Sequence, residues 1–531
     1  MKQTGHLCIL LFFLAFIYIP PVLWLSRQDE EVSQAEKRKL ARLPVPEFTR
    51  ASLSAFPKAF EEYYKDHFGL RHQFIVLNNA LHFNILKKSP LPLVTVGQDD
   101  WLFYNGESVL PDFLGQTKKN EEFLEEWKRV LEDREEWLAD QGIRYLLAVA
   151  PNKMMVYPEK LPARIERARG RTQLDAFREY LEKRSRFTGF IDLREPLHRA
   201  KDQSQVYYRT DTHWNPDGAL VGYGVIMKRV REWFPEARLL PEHALARAKD
   251  IRTQSDISIM LNLKSIAPEE SSKWVVRAPC APREYGKVDM AFQVKSGPAG
   301  SFAYRPETNG CPGAPLTAVM TQDSFGQFLH PFLNESFGRI IYSDYVDLRE
   351  LKPLLIRENP DLIIELRVAR HLPGVMQPDP EVERTIMDKH YNRAGDRRLR
   401  LDARSGHDAL GRTNELSILP EEGGLLLQAT GSDPSVELTF DAETGGDPLL
   451  VRVSLISPAE TLMQLFYATP DSPQFTEENK ISKSIARGEN NFLFRLPHPR
   501  TAGRIRFDPG AVPGRYLLKS LEIIREERKE P

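Results

Sequence analysis

The sequence predicts an α/β fold: a mostly parallel sheet flanked by helices, set between an N-terminal membrane anchor and a C-terminal all-β sandwich. Three observations predict it. Leu7 to Leu25 runs without a charge, near the ~20-residue length of a bilayer-spanning helix. From about residue 96 to 372, short apolar runs alternate with amphipathic stretches, as in a parallel sheet with crossover helices. Beyond residue 400 the period shortens to that of strands separated by turn residues.

Composition narrows the class further. The 531 residues carry 73 Lys+Arg against 74 Asp+Glu, a formal net charge of -1, with 41% hydrophobic residues. Such a chain can bury several cores and is neither disordered nor a polytopic membrane protein. The balanced charge leaves no electrostatic footprint for nucleic acid. Pro, at 39 residues, outnumbers Gly at 31, which points to loops and strand edges rather than helical bundles. Three cysteines suffice neither for a disulfide scaffold nor for a four-thiolate zinc site.

Taken in order, residues 1–26 read as an uncleaved signal anchor. Pro20 and Pro21 kink its far end, Trp24 sits at an interfacial position, and no small-x-small cleavage site follows at Ser26-Arg27-Gln28-Asp29. The charge on either side of the anchor leaves its orientation open. Residues 27–95 form a membrane-proximal helical neck, with apolar spacings of three and four in Phe56 to Tyr64 and Phe74 to Leu86. Within 96–372 the expected strands are Asp100 to Tyr104, Tyr145 to Ala150, Gly189 to Leu193, Leu316 to Thr321, Ile340 to Tyr342 and Asp361 to Leu366. Helices are expected with Phe123 to Leu138, at Leu174 to Arg184, near Gln327 to Phe337 and at Leu348 to Glu358. Residues 373–399 read as a charged linker, and 400–531 as a sandwich of seven or more strands.

Two segments could carry chemistry. In Tyr207-Tyr208-Arg209-Thr210-Asp211-Thr212-His213-Trp214-Asn215, Asp211 and His213 stand two residues apart. On extended backbone they share a face, so the carboxylate can orient the imidazole. The plain alternative is a loop Asp capping the helix from Pro216, with His213 packed on Trp214. In Met320-Thr321-Gln322-Asp323-Ser324-Phe325-Gly326 a buried strand runs into a polar turn before a helix. That exposes a Ser hydroxyl beside backbone N–H groups able to hold an oxyanion; alternatively Asp323 or Ser324 only caps the helix. Together they supply a nucleophile, a base and an orienting carboxylate at strand ends of one sheet.

With Glu36-Lys37-Arg38, Asp66-His67-Phe68-Gly69-Leu70-Arg71, Trp101-Leu102-Phe103-Tyr104, Pro151-Asn152-Lys153 and Tyr157-Pro158, these motifs give a wider pattern over residues 35–370. The chain resembles the AlgJ/AlgX-type alginate O-acetyltransferase family, which is SGNH-hydrolase-like. The resemblance implies an SGNH-like acetyltransferase domain over 96–372 with catalytic Asp211, His213 and Ser324. Gln322 departs from it, standing where the family's nucleophile motif has Gly. The second oxyanion donor has no match, with Asn262 only a guess. Trp214 and Asn215 are candidates for substrate contact.

The resemblance also implies a periplasmic protein anchored to the inner membrane. It would act on an exported polysaccharide, with acetyl supplied through a membrane-bound O-acyltransferase, and would need no cofactor or metal. The sandwich resembles carbohydrate-binding modules, although all seven Trp precede residue 275. That leaves Tyr467, Phe475 or Tyr516 to stack on sugar, or simply to fill a core. An esterase with the same triad, or a non-catalytic glycan-binding scaffold, would fit the same residues. Removing 400–531 is expected to leave the α/β domain folded. Cys8 lies in the apolar segment, so Cys280 and Cys311 are the pair free to bridge in an oxidising compartment, worth ~3–4 kcal/mol; otherwise they are two small unpaired residues.

Overall fold

The computed structural model describes the chain apart from residues 1, 26–31, 34–37, 47, 118–119, 253–254, 264–268, 291, 296–300, 345–347, 394–395, 442–447, 471, 497–500 and 527–531. The anchor flank from Ser26 to Glu31 and the Glu36-Lys37 pair thus lie outside the described residues. The chain divides into two compact units. The first comprises 1–118, 146–175 and 189–372; the second comprises 119–145, 176–188 and 373–531.

In the first unit, Lys2–Leu25 is helical, but the membrane anchor is not supported. Among the described residues no helix is long and apolar enough to cross a membrane. The end of this helix is spent on protein. Pro20 is buried, and a Cβ on Gly69 would sit 2.1 Å from the Pro20 carbonyl oxygen. The Trp24 ring packs 5.6–6.4 Å from Phe60, Tyr63 and Tyr64. About 13 apolar residues precede Pro20, roughly 20 Å of helix against a hydrocarbon core of ~30 Å. The expected attachment to an inner membrane rested on that anchor and falls with it. The neck itself consists of Arg50–His67, capped by Thr49 on Ser52 N at 3.2 Å, and Arg71–Asn84.

A seven-stranded sheet follows. Its spatial order is Phe190–Asp192, Arg144–Ala150, Leu362–Val368, Thr317–Gln322, Arg339–Asp344, Glu307–Asn309 and Gly286–Lys287. Thr317–Gln322 is parallel to both neighbours, in register Met320↔Tyr342 and Met320↔Ile364. The last two strands are antiparallel additions. All seven residues of Leu362–Val368 are buried, as are Ala318 to Gln322. Strands covered on both faces carry continuous apolar runs, here Leu362 to Ile364 and Ala318 to Met320, which is why they were visible in the sequence. The helix expected near Gln327–Phe337 is instead a 3-10 turn, Gly326–Leu329, and one helical turn, His330–Leu333. Pro331 lacks the N–H that a continuous helix needs there, and occupies a first-turn position instead. The hairpin Leu245–Arg252 with Glu269–Val276, unanticipated, has few buried residues and thus no apolar alternation to reveal it.

The second unit holds two antiparallel sheets. Six strands form one: Leu416–Glu421, Gly424–Ala429, Gly514–Arg525, Leu449–Ser457 and Gly488–Arg495, with Arg397–Leu401 also paired to Gly514–Arg525. Five form the other: Leu410–Asn414, Ser435–Thr439, Arg504–Asp508, Thr461–Tyr467 and Lys480–Ile485. Leu427, Val453, Leu465, Ile505 and Ile523 are fully buried between them. The unit also includes the helix Glu121–Ala139, capped by Asn120 on Phe123 N, and the helix Pro380–Arg393 in the segment read as a linker.

A buried polar cluster joins these helices to the strands. Arg495, its side chain 1% exposed, donates to Asp133 at 2.9 and 3.3 Å and to Glu526 at 2.6 Å. His390 bridges Glu526 at 2.7 Å and Glu136 at 2.8 Å. Burial opposes the charge on His390, but the two carboxylates outweigh it and raise its pKa above the ordinary value. A group raised in the folded state contributes stability below its unfolded pKa of ~6.5 and loses it as pH rises through the folded pKa. The melting temperature of this unit should therefore fall between pH 6 and pH 9, and His390→Gln should flatten that slope. An unchanged slope in the variant would show that His390 is not charged in the fold.

Candidate active site

The loop carrying Asp211 and His213 is closed by an isolated bridge between Tyr207 and Trp214, and its backbone groups are nearly all committed. Lys153, buried at the start of a short helix after Arg144–Ala150, donates to the carbonyls of Tyr208, Arg209 and Asp211 at 3.0, 3.0 and 2.6 Å. Burial lowers its pKa to about 8, with nearby Asp256, Asp211 and Glu269 pulling the other way. Glu269, also buried, accepts from the Arg209 and Thr210 amides at 2.6 and 3.2 Å. One side chain holds the loop's carbonyls and the other its amides, so the loop is preorganised.

Within it, the His213 imidazole bonds Asp211 Oδ1 through Nδ1 at 2.6 Å and Ser324 Oγ through Nε2 at 2.7 Å. The other oxygen of Asp211 accepts from Arg252 at 2.6 and 3.1 Å and from the Asp256 amide at 3.2 Å. Burial would raise the Asp211 pKa, yet the bond to His213 and the Arg252 charge hold it well below the usual carboxylate range. Arg252 reaches the site from the unanticipated hairpin, lying 4.4 Å over the Tyr208 ring. Asp256 accepts from Thr212 N at 2.8 Å, and its carboxylate stands 3.7 Å from His213 Nδ1. Phe325 and Phe328 pack 4.8 and 5.6 Å from the imidazole.

Ser324 follows the strand Thr317–Gln322. The Asp323 carboxylate accepts from Phe325 N at 3.0 Å, Val368 N at 2.8 Å and His371 Nδ1 at 2.9 Å, which ties the turn to the end of the adjacent strand. Gln322, expected as a departure from the family motif, is fully buried. Its amide donates to Asp344 at 2.6 Å and meets His330 Nε2 at 2.8 Å. Burial pushes His330 down to about 3, so that ring is neutral. Room for Gln322 comes from Gly326, where a Cβ would lie 2.2 Å from Gln322 Oε1. Gln322 is absent from the positive-φ residues, so no glycine is required at its position.

Asp211, His213 and Ser324 are thus brought together; the four candidates for substrate contact have other surroundings. Trp214 is 0% exposed and donates through Nε1 to Phe325 O at 3.0 Å, so its ring holds the turn that carries Ser324 and cannot stack on a sugar. Asn215 caps the helix Pro216–Trp233 through Gly218 N. Tyr467 and Tyr516 belong to the sandwich core. Phe475 is partly exposed, with Arg504 5.3 Å from its ring. Asn262 lies in the turn after Asp256–Met260 with φ 54°. Cys280 and Cys311 form a disulfide with Cα atoms 5.0 Å apart. Sequence reasoning missed Lys153, Arg252, Asp256 and Glu269. For Lys153 a signal existed, a cation directly beyond an apolar strand; for the others none did.

Residues 94–288 match the family described as SGNH hydrolase-like domain, acetyltransferase AlgX. Asp211 and His213 fall inside that match, and Ser324 follows it. The chain is 31% identical over 184 residues to the probable alginate O-acetylase AlgJ of Pseudomonas syringae pv. tomato, 34% of this chain and 45% of that protein. It is 34% identical over 167 residues to the probable alginate O-acetylase AlgJ of Pseudomonas aeruginosa, 30% of this chain and 39% of that protein. The chain thus spans less than half the length of these curated relatives. A solved O-acetyltransferase domain of Pseudomonas putida AlgJ is 20% identical, covering 55% of this chain and 95% of that one at a TM-score of 0.35.

Proposed function

We propose, for a chain that carries an SGNH hydrolase-like domain of the AlgJ/AlgX type, that Ser324, His213 and Asp211 transfer acetyl groups to hydroxyls of a polysaccharide. The observation that carries this reading is the unbroken hydrogen-bond chain from Ser324 Oγ through His213 to Asp211. Ser324 Oγ attacks the acetyl carbonyl of an ester donor as its proton passes to His213 Nε2. The carbonyl π pair moves onto oxygen, then returns as the donor's alkoxide leaves, taking the proton from His213. An acceptor hydroxyl next gives its proton to His213 and attacks the acetyl-Ser324 ester. That collapse returns the proton to Ser324 and leaves the acceptor acetylated. Asp211 holds the imidazole with Nδ1 protonated and favours the imidazolium formed in each half-reaction. Arg252 keeps Asp211 ionised, and Lys153 fixes the loop.

The relatives named as alginate O-acetylases support a polysaccharide acceptor, and the two phenylalanines against the imidazole support exclusion of water. The test supplies an aryl acetate with and without an oligosaccharide. A transferase acetylates the sugar faster than it releases acetate; hydrolysis indifferent to the acceptor would make it an esterase instead. Two substitutions probe the support of the triad. Asp211→Asn should lower the rate by about 10⁴-fold by stabilising the wrong imidazole tautomer. Lys153→Met should lower it by about 10²-fold through loop misplacement. A full rate in Lys153→Met would show that Glu269 alone holds the loop.

A further inference from the structure

Ser324 is held through its neighbour. The Asp323 side chain is 2% exposed, so its charge relies on protein donors, and its oxygens accept from Phe325 N and Val368 N at 3.0 and 2.8 Å. The Asp323 carbonyl also accepts from Gly326 N. This carboxylate closes the turn over Ser324, so whatever fixes the carboxylate fixes the nucleophile.

His371 does so. It ends the 3-10 turn Ala369–His371, which follows Leu362–Val368, the strand beside that of Ser324. Its Nδ1 lies 2.9 Å from Asp323 Oδ2, and its Nε2 lies 3.2 Å from Glu107 Oε2. An ionised carboxylate only accepts, and a neutral imidazole has a single N–H, so the imidazolium alone can bond both at once. Both carboxyls are ionised at neutral pH. The bond from His371 holds Glu107 below its usual range; at Asp323 burial would raise the pKa, but the His371 bond and the Arg367 charge hold it down. Burial opposes the charge on His371, yet Asp323 and Glu107 raise its pKa above the ordinary value, with Arg370 pulling the other way. Arg370 donates through Nε to Glu107 at 2.8 Å. The Tyr104 ring, 5.8 Å from that guanidinium, stays neutral because burial raises its pKa.

We propose that His371 is a positioning residue for acetyl transfer: shared as an imidazolium between Asp323 and Glu107, it holds the Asp323 carboxylate and, through it, the turn that presents Ser324 Oγ to His213. The inference rests on the reading above, in which Ser324 is the nucleophile. Loss of the ring proton leaves one carboxylate facing a lone pair and removes the charge beside buried Asp323, so the turn loosens. A merely structural ion pair between these loops would stabilise the fold and leave the pH dependence of turnover to His213 alone.

The test uses the full-length chain and 4-nitrophenyl acetate, with thermal melts on the same preparations. His371→Ala should lower kcat about 10–10²-fold, as for a small misplacement of a reacting atom, with KM changed less than about threefold. His371→Asn, whose Nδ2 stands in for Nδ1 and donates at every pH, should recover most of that loss. Wild-type kcat should decline several-fold on the alkaline side as the imidazolium loses its proton, and His371→Asn should lack this decline. Glu107→Gln, which removes a charge that favours the imidazolium, should move the decline to lower pH by about one unit. Equal kcat in wild type and His371→Ala, or an alkaline decline that neither His371→Asn nor Glu107→Gln alters, would overturn the inference and leave the triad intact. Should His371→Ala fail to fold, the pH profiles of His371→Asn and Glu107→Gln still decide. Turnover surviving in Ser324→Ala would instead defeat the acetyl-transfer reading itself.

Discussion

Ser324→Ala should remove acetyl release from an aryl ester almost completely, and His213→Ala should remove it to the same extent. The two atoms lie 2.7 Å apart with Asp211 2.6 Å behind the imidazole, so each group acts only through the others. Losses of roughly 10⁴-fold or more are expected for either substitution, with no further loss when both are combined. The fold should survive both changes: Ser324 and His213 are only partly buried, and the loop is held by Lys153 and Glu269 rather than by the imidazole. Steady-state rates and thermal melts on the same preparations separate chemistry from stability. Substantial turnover in Ser324→Ala would place the nucleophile elsewhere.

Among single substitutions, Arg495→Met should have the largest effect on stability. The guanidinium carries 1% exposure and is shared by Asp133 and Glu526, so its removal strands buried carboxylates. Breaking such a cluster from one side costs about 3–5 kcal/mol, which for a unit of this size lowers the melting temperature by roughly 6–20 °C. Deleting residues 400–531 should be worse still. It removes Arg495 and Glu526 while leaving Asp133, Glu136 and His390 on helices whose partners are gone. An insoluble or protease-sensitive truncation is therefore expected, against the sequence-based expectation of a free-standing remainder. A cooperative melt in the truncated chain would refute this account of the second unit.

Much of the α/β layer was legible because of how its strands are buried. Tyr145 to Ala150 and Leu362 to Val368 are covered on both faces, so the apolar runs Tyr145 to Ala150 and Leu362 to Ile364 needed no knowledge of their neighbours. Asp211, His213 and Ser324 stood out only as candidates, since helix capping explains each segment alone; the wider set of family-like motifs singled them out. Arg252, Asp256 and Glu269 were not legible, because they belong to a hairpin with few buried residues and to the short helix between its strands. Exposed residues have no periodicity to betray what they meet.

Residue type and spacing in one dimension thus sufficed for five of the seven strands of the sheet and the β-rich character of the C-terminal region, while the candidates Asp211, His213 and Ser324 came from a family-like set of motifs. What an apolar or polar group faces could come only from the packed chain. A hydrophobic N-terminal helix ends against Tyr63 and Tyr64 rather than continuing through a bilayer. An indole beside His213 turns inward to hold a carbonyl, and an amide after Ala150 is left with one unpaired NH₂ group. Burial, partner and orientation are properties of segments remote in sequence meeting at close range, and no local pattern encodes which segments those will be.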